Sequence, residues 1–426
     1  MRKIFLKVVA CSLLVVLLLL AVPSINAQRP KILVYIGGHG GPGYEEWWRQ
    51  LVTEFEQKYG IDVEYQIIGF EVYWDKLVAA FEAGTPPDVA LADLGGWVPA
   101  FADKGWLEPL EKYLATWEGA KQIWPNLWEA VTYKGVRYGV PWYCDCRVLL
   151  YHKELFKKAG LDPSKPPRTW DELLECAKKL TDPKKGIYGY GVSGALSEIT
   201  TLGYMIFLYG AGGRLLTPDY KKAAFNSPEG LEALKFYTEL YTKYHVSPPG
   251  TPSYTEDDYR VMMAHGKIAM AIGGPWSFPL IEMENPAIKG KYATAAHPYK
   301  VHPATVYGGW AWVIAKASKH KDAAWKWIAF MDSYDVWKRW ALKWKGPMPA
   351  RIDVVFDVPF FLEDPLWKPI ITMFPHAVAR PPIPQWPQVS HVIQLMVQNV
   401  LTGKMTPEQA LSWAAKEVNK ILAGGS

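Results

Sequence analysis

In the stretch Pro141-Trp142-Tyr143-Cys144-Asp145-Cys146-Arg147, rings and charges alternate along the chain. In an extended strand Tyr143, Asp145 and Arg147 share one face, and Trp142, Cys144 and Cys146 share the other. A ring, an acid and a guanidinium on one face suit a hydroxyl-rich molecule such as a sugar. Planar bidentate groups take its hydroxyls, and a ring covers its C–H face. The other use for Asp145 and Arg147 is a surface ion pair, which contributes little. Asp93 follows the apolar strand 88–92, with Trp97 one helical turn on. Crevices in open α/β sheets lie at the carboxyl ends of strands, so Asp93 is placed to meet a ligand. A helix N-cap is its alternative, and Trp97 fits a core equally well. Trp310 follows Gly308-Gly309, where Gly309 lets a ligand approach the backbone closely. Trp310 and Trp312 share one strand face, so core packing is open to both.

A glycine loop, Gly37-Gly38-His39-Gly40-Gly41-Pro42-Gly43, precedes a helix. Such loops can cradle phosphate on backbone N–H groups, which makes a phosphorylated polyol an alternative ligand. Glu45 and Glu46 already satisfy the dipole in the first turn and would repel phosphate. A neutral sugar meeting His39, Tyr44 or Glu45 fits better; a plain turn is the simplest reading. Catalytic signatures are missing: there is no His-Glu-x-x-His and no Gly-x-Ser-x-Gly. A secreted carbohydrate-active enzyme would need two opposed carboxylates and stays a remote alternative. His297 and His302 are too loosely spaced for a metal site, and no cofactor is expected.

The elements that must position these residues alternate. A strand at 31–36 leads through the glycine loop to a helix with Tyr44, Trp47, Trp48, Leu51 and Phe55 at helical spacing. A second strand covers 61–68. The next helix carries Trp74, Leu77, Val78 and Phe81, and the third strand follows. That order predicts an α/β protein with a largely parallel sheet. Thr169-Trp170-Asp171-Glu172 and Thr406-Pro407-Glu408-Gln409 are helix-start boxes. After a helical excursion a strand returns at 306–315, which makes both lobes discontinuous.

Arg2, Lys3 and Lys7 precede an apolar run over 8–22 that stops at Pro23. The run is short of the roughly 20 residues that span a bilayer and reads as a cleavable export signal ending at Ala27. Cleavage leaves 44 basic residues against 42 acidic ones, a balance of +2 that argues for no nucleic-acid partner. Cys144, Cys146 and Cys176 remain, an odd number. Near neighbours on one strand face strain a disulfide, so buried thiols are expected. The chain holds 21 Trp, 24 Tyr and 15 Phe, an excess that asks for a use beyond packing.

Gly84-Thr85-Pro86-Pro87-Asp88-Val89, Leu150-Tyr151-His152-Lys153-Glu154-Leu155-Phe156, Gly266-Lys267-Ile268-Ala269-Met270, Gly274-Pro275-Trp276, Gly308-Gly309-Trp310 and Met348-Pro349-Ala350-Arg351 follow in order. In this the chain resembles the family 1 extracellular solute-binding proteins of ABC importers. The resemblance implies a two-lobed periplasmic-binding-protein-like α/β fold. Each lobe would be a mainly parallel sheet flanked by helices, with the ligand in the cleft between them. Residues 1–27 would be the signal peptide, 28–138 and 277–333 the N-terminal lobe, and 139–276 and 334–426 the C-terminal lobe. Asp93 would bind hydroxyls, Trp276 would be the main stacking ring, and Arg351 would face the cleft unless it lies on the surface. The ligand would be a mono- to oligosaccharide captured by hinge closure. The partners would be membrane permease subunits and an ATPase on another chain, with this chain a monomer in the periplasm or outside the cell.

Overall fold

The structure, a computed structural model, describes residues 29–38, 43–344 and 348–424. The expected signal peptide and His39 lie outside the described residues. Strand β1 (Lys31–Gly37) buries Ile32, Val34 and Ile36. Helix α1 (Tyr44–Tyr59) turns Trp47, Trp48, Leu51, Val52 and Phe55 inward and ends at Gly60. β2 (Asp62–Ile68), α2 (Phe70–Glu82), β3 (Val89–Asp93) and α3 (Trp97–Asp103) follow. β2 and β3 lie parallel to β1 on its two sides.

β4 (Gly139–Cys146) runs on through Arg147 into β5 (Val148–His152). Next come α4 (Glu198–Gly210), α5 (Glu256–Ala264), β6 (Met270–Gly273) and β7 (Tyr292–Ala295). β8 (Thr305–Ile314), β9 (Met348–Pro349), β10 (Ala377–Val378) and α6 (Trp386–Leu401) complete the labelled elements. The larger sheet has the order β9–β4–β8–β3–β1–β2, with β10 beside the start of β8. In the smaller sheet β5 lies between β6 and β7, antiparallel to both. Both expected helix-start boxes form, at Thr169 with Glu172 and at Thr406 with Gln409.

The α/β architecture is as expected, but parallel pairing is confined to part of it. Parallel neighbours need a crossover, and α1 and α2 supply one for the first three strands. β8 returns from the smaller sheet and enters antiparallel between β3 and β4. The chain passes between the two sheets at Arg147 and between Ala295 and Thr305, and between Val378 and Trp386 it leaves the larger sheet for the second core. The lobe limits expected from the sequence therefore differ from where the segments pack. β4 sits in the larger sheet and β7 in the smaller one. Val336, Trp337, Phe361 and Trp367 join the core around the larger sheet, whereas Trp386 to Val418 joins the second core.

Much of the aromatic excess is core. Trp48, Trp142, Trp312, Trp327 and Trp337 are buried, with neighbouring rings 5.2–6.3 Å apart. Among the described residues Cys144 and Cys146 are buried and unpaired, and Cys176 is half-buried and unpaired.

Gly309 is a point of strict requirement. Its φ is 136°, and a side chain there would overlap the Tyr143 carbonyl and come within 2.9 Å of the Cys144 Cα. Both are backbone atoms and cannot swing away. Gly309→Ala is expected to cost about 3 kcal/mol, measured as a lowered urea midpoint; an unchanged midpoint would show that the β4–β8 contact yields.

Candidate functional site

Between the two sheets lies a cavity of about 80 Å³. One water needs roughly 10–15 Å³ on this measure, so the space suits one small ligand rather than a chain of units. Asp93, Tyr143, Asp145, Trp276, Gly309 and Trp310 line it, as do Arg147, Glu198, Glu256 and Arg380.

β4 presents Tyr143, Asp145 and Arg147 on the face that strand alternation requires. Asp145 and Arg147 are both buried, with Oδ1 of the acid 3.8 Å from Nη1 of the arginine. That is an ion pair without a hydrogen bond. Asp145 Oδ1 and Arg147 Nε and Nη1 have no hydrogen-bond partner among the described residues. Burial pushes the Asp145 carboxyl up to about 6, against the pull of Arg147. Gly308 stands opposite: a Cβ there would lie 2.9 Å from Asp145 Oδ1 and 3.2 Å from Arg147 Nη1. The missing side chain is what gives these two groups room.

Trp276 follows β6 through Gly274-Pro275. The Arg147 guanidinium lies 5.1 Å above its ring, a cation–π contact. A Cβ on Gly274 would overlap the same ring. The Gly274 backbone and the Arg147 guanidinium both lie close to this ring, which stays half-buried.

Glu256 opens α5, directly after the capping residue Thr255. It is only 5% exposed, and neither of its oxygens has a hydrogen-bond partner among the described residues. Burial pushes this carboxyl up to about 7.

Asp93, at the end of β3, accepts a hydrogen bond from the Gly95 N–H at 2.6 Å and pairs with Arg380 Nη2 at 2.6 Å. Burial raises its pKa, and Arg380 opposes the rise. Arg380 also donates to Glu198 Oε1 at 3.2 Å. Glu198 accepts further hydrogen bonds from Trp386 Nε1 at 2.9 Å and from the Ser390 hydroxyl.

Other expected contacts are used elsewhere. Trp97 packs on Phe70, Tyr73 and Trp74. Tyr44 lies one layer back, its ring edge-on to Trp48 and Trp340. Glu45 is exposed on α1. Arg351 turns away from the cavity: it binds the Asp353 carboxylate through Nε at 3.0 Å and Nη2 at 2.6 Å, and the Asp332 carbonyl through Nη1 at 2.8 Å. An acid two residues on, in the following helix, captures it.

Five carboxyl groups (Asp93, Asp145, Glu198, Glu256, Asp257) and two guanidinium groups line the cavity. Such a lining repels phosphate. It offers acceptors and donors side by side with an indole platform, which matches the edge and face of a polyhydroxylated ring. Among the described residues no group of acids, histidines and cysteines is arranged to hold a metal.

A family model described as bacterial extracellular solute-binding protein matches residues 41–336. A solute-binding protein of an ABC transporter from Thermotoga lettingae, bound with alpha-D-tagatose, superposes with a TM-score of 0.89 at 59% identity, covering 92% of this chain and 100% of that one. Maltose-bound MalE3 of T. maritima superposes with a TM-score of 0.80 at 32% identity, covering 92% and 99%. The maltotriose-binding protein of Pyrococcus abyssi is 26% identical over 330 residues, 75% of this chain and 66% of its own.

Proposed function

The chain belongs to the bacterial extracellular solute-binding proteins, and from that premise we propose that it captures a single sugar between its two lobes and delivers it to the permease of an ABC importer. Its role is binding, not catalysis. One observation carries the choice of ligand. Asp145, Arg147 and Glu256 bring buried, unpartnered acceptors and donors to one small cavity beside Trp276. Buried polar groups left unpaired cost free energy, and sugar hydroxyls supply both kinds of partner. The single sugar bound to the T. lettingae protein supports the same size class.

Arg147, the segment between Ala295 and Thr305 and the segment between Val378 and Trp386 are the places where closure would bend the chain. Ligand bridging the lobes shifts the open–closed balance toward closed. The segment 1–27 directs export, so that the mature chain, beginning near Gln28, works in the periplasm or outside the cell.

A thermal-shift screen of D-tagatose, D-glucose, ribitol, glycerol 3-phosphate and glucose 6-phosphate tests the reading. A neutral sugar at about 100 times its Kd adds about 2.7 kcal/mol to stability and raises the melting temperature. A rise confined to the phosphates would overturn the choice of ligand and restore the phosphorylated polyol.

A further inference from the structure

The space between the lobes does not end at the cavity. A groove of about 750 Å³ lies beside Trp386, whose chain neighbours Gln385 and Pro387 line it. The larger-sheet lobe gives it Trp74, Phe101 and Trp106, and the other lobe gives it Pro384, Gln388 and His391. Trp74 and Trp106 are half-buried. Trp74 already stacks on Phe101 and Trp106 on Phe81, so what each offers the groove is the part of its ring left exposed.

What separates the two spaces is specific. Arg380 is 3% exposed and tied at both ends, to Asp93 of one lobe and to Glu198 of the other. Trp386 donates to the same Glu198. The opposing loop is shaped to receive them: a Cβ on Gly95 would overlap the Arg380 guanidinium, and one on Gly96 would lie 2.7 Å from the Trp386 Cβ. Chain order places the contact between the spaces. Asp93 lines the cavity, Gly95 and Gly96 meet the wall, and Ala100, Phe101, Asp103 and Lys104 line the groove. On the other lobe Arg380 lines the cavity, Trp386 meets Gly96, and Gln388, His391 and Val392 line the groove.

We infer that Arg380, backed by Trp386, is a partition across the cleft that limits the ligand to one sugar unit. This rests on the sugar reading above and adds the residue that sets ligand length. Removing the guanidinium joins the cavity to the aromatic groove, and a disaccharide then fits where it did not.

The test titrates D-tagatose and maltose calorimetrically into the wild-type protein and into Arg380→Ala/Glu198→Gln. The second substitution removes the repulsion that Asp93 and Glu198 would otherwise feel. Wild type is expected to favour tagatose by at least about 100-fold, a gap of 2.7 kcal/mol, and the variant is expected to narrow that ratio at least tenfold. An unchanged ratio overturns the partition, whatever the absolute loss. So does a wild-type protein that binds maltose as tightly as tagatose, a result that needs no folded variant and leaves the sugar reading intact. If wild type binds neither, the sugar reading suffers, and a crystal structure of the variant decides the partition. Cavity and groove merged supports it; cavity and groove still separate overturns it.

Discussion

Trp276→Ala is expected to weaken sugar binding roughly 100-fold while leaving the protein folded. An indole face covered by a sugar ring removes on the order of 100 Å² of apolar surface from water. At about 25 cal/mol per Å² this is about 2.5 kcal/mol, close to a 70-fold change in Kd. A second effect adds to it. Arg147 rests 5.1 Å above the same ring, and without the ring its guanidinium loses its seat beside Asp145. Stability changes little by comparison, because Trp276 is only half-buried and neither core is built on it. Calorimetry on D-tagatose checks the affinity, and a melting curve checks the fold. A Kd within threefold of wild type would remove Trp276 from the site.

How far the site could be read from the sequence depends on how local each signal is. Tyr143, Asp145 and Arg147 fall on one face because strand alternation fixes that, whatever the partners are. Asp93 is legible because it ends a strand that a proline turn and an apolar run define. The second lobe's contribution is not legible in this way. Glu256 looks like an ordinary first-turn acid favoured by the helix dipole, and nothing in Thr255-Glu256-Asp257-Asp258 shows that one of three acids is buried. Arg380 stands before Pro381-Pro382 and reads as a loop residue, yet the crossing segment carries it between the lobes to Asp93. Arg351 shows the converse: its environment was decided by Asp353, two residues on. The fold has the same limit. Helix caps and strand periods give the elements, but the placement of β4, β7 and residues 336–374 depends on where the chain crosses between sheets, which no local pattern encodes.

Glu256→Gln is expected to stabilise the unliganded protein at pH 8 and to weaken its hold on sugar. The carboxyl sits among Arg147, Arg260, Asp145 and Asp257, and burial dominates their combined pull, raising it to about 7 from its ordinary value of 4.5. The native state therefore binds more protons than the unfolded state between those two values. Stability falls as pH rises through that window, because the slope follows the proton difference between unfolded and native states. The penalty is absent below about pH 4.5 and complete above about pH 7, where it amounts to roughly 2–3 kcal/mol. Asp145, raised to about 6, pushes in the same direction. Glutamine keeps the shape and removes the titration, so the variant should exceed wild type by about 2 kcal/mol more at pH 8 than at pH 5 in urea melts. An equal difference at both pH values would show that Glu256 is not held in a desolvating site. Affinity should move the other way. A carboxylate accepts a hydroxyl hydrogen bond worth about 1.5–3 kcal/mol, against roughly 0.5–1.5 for an amide, so Kd at pH 8 should rise about tenfold. A buried acid that lowered stability and raised affinity in these two measurements would be one that serves the ligand: a sugar hydroxyl would supply the hydrogen bond that the fold withholds.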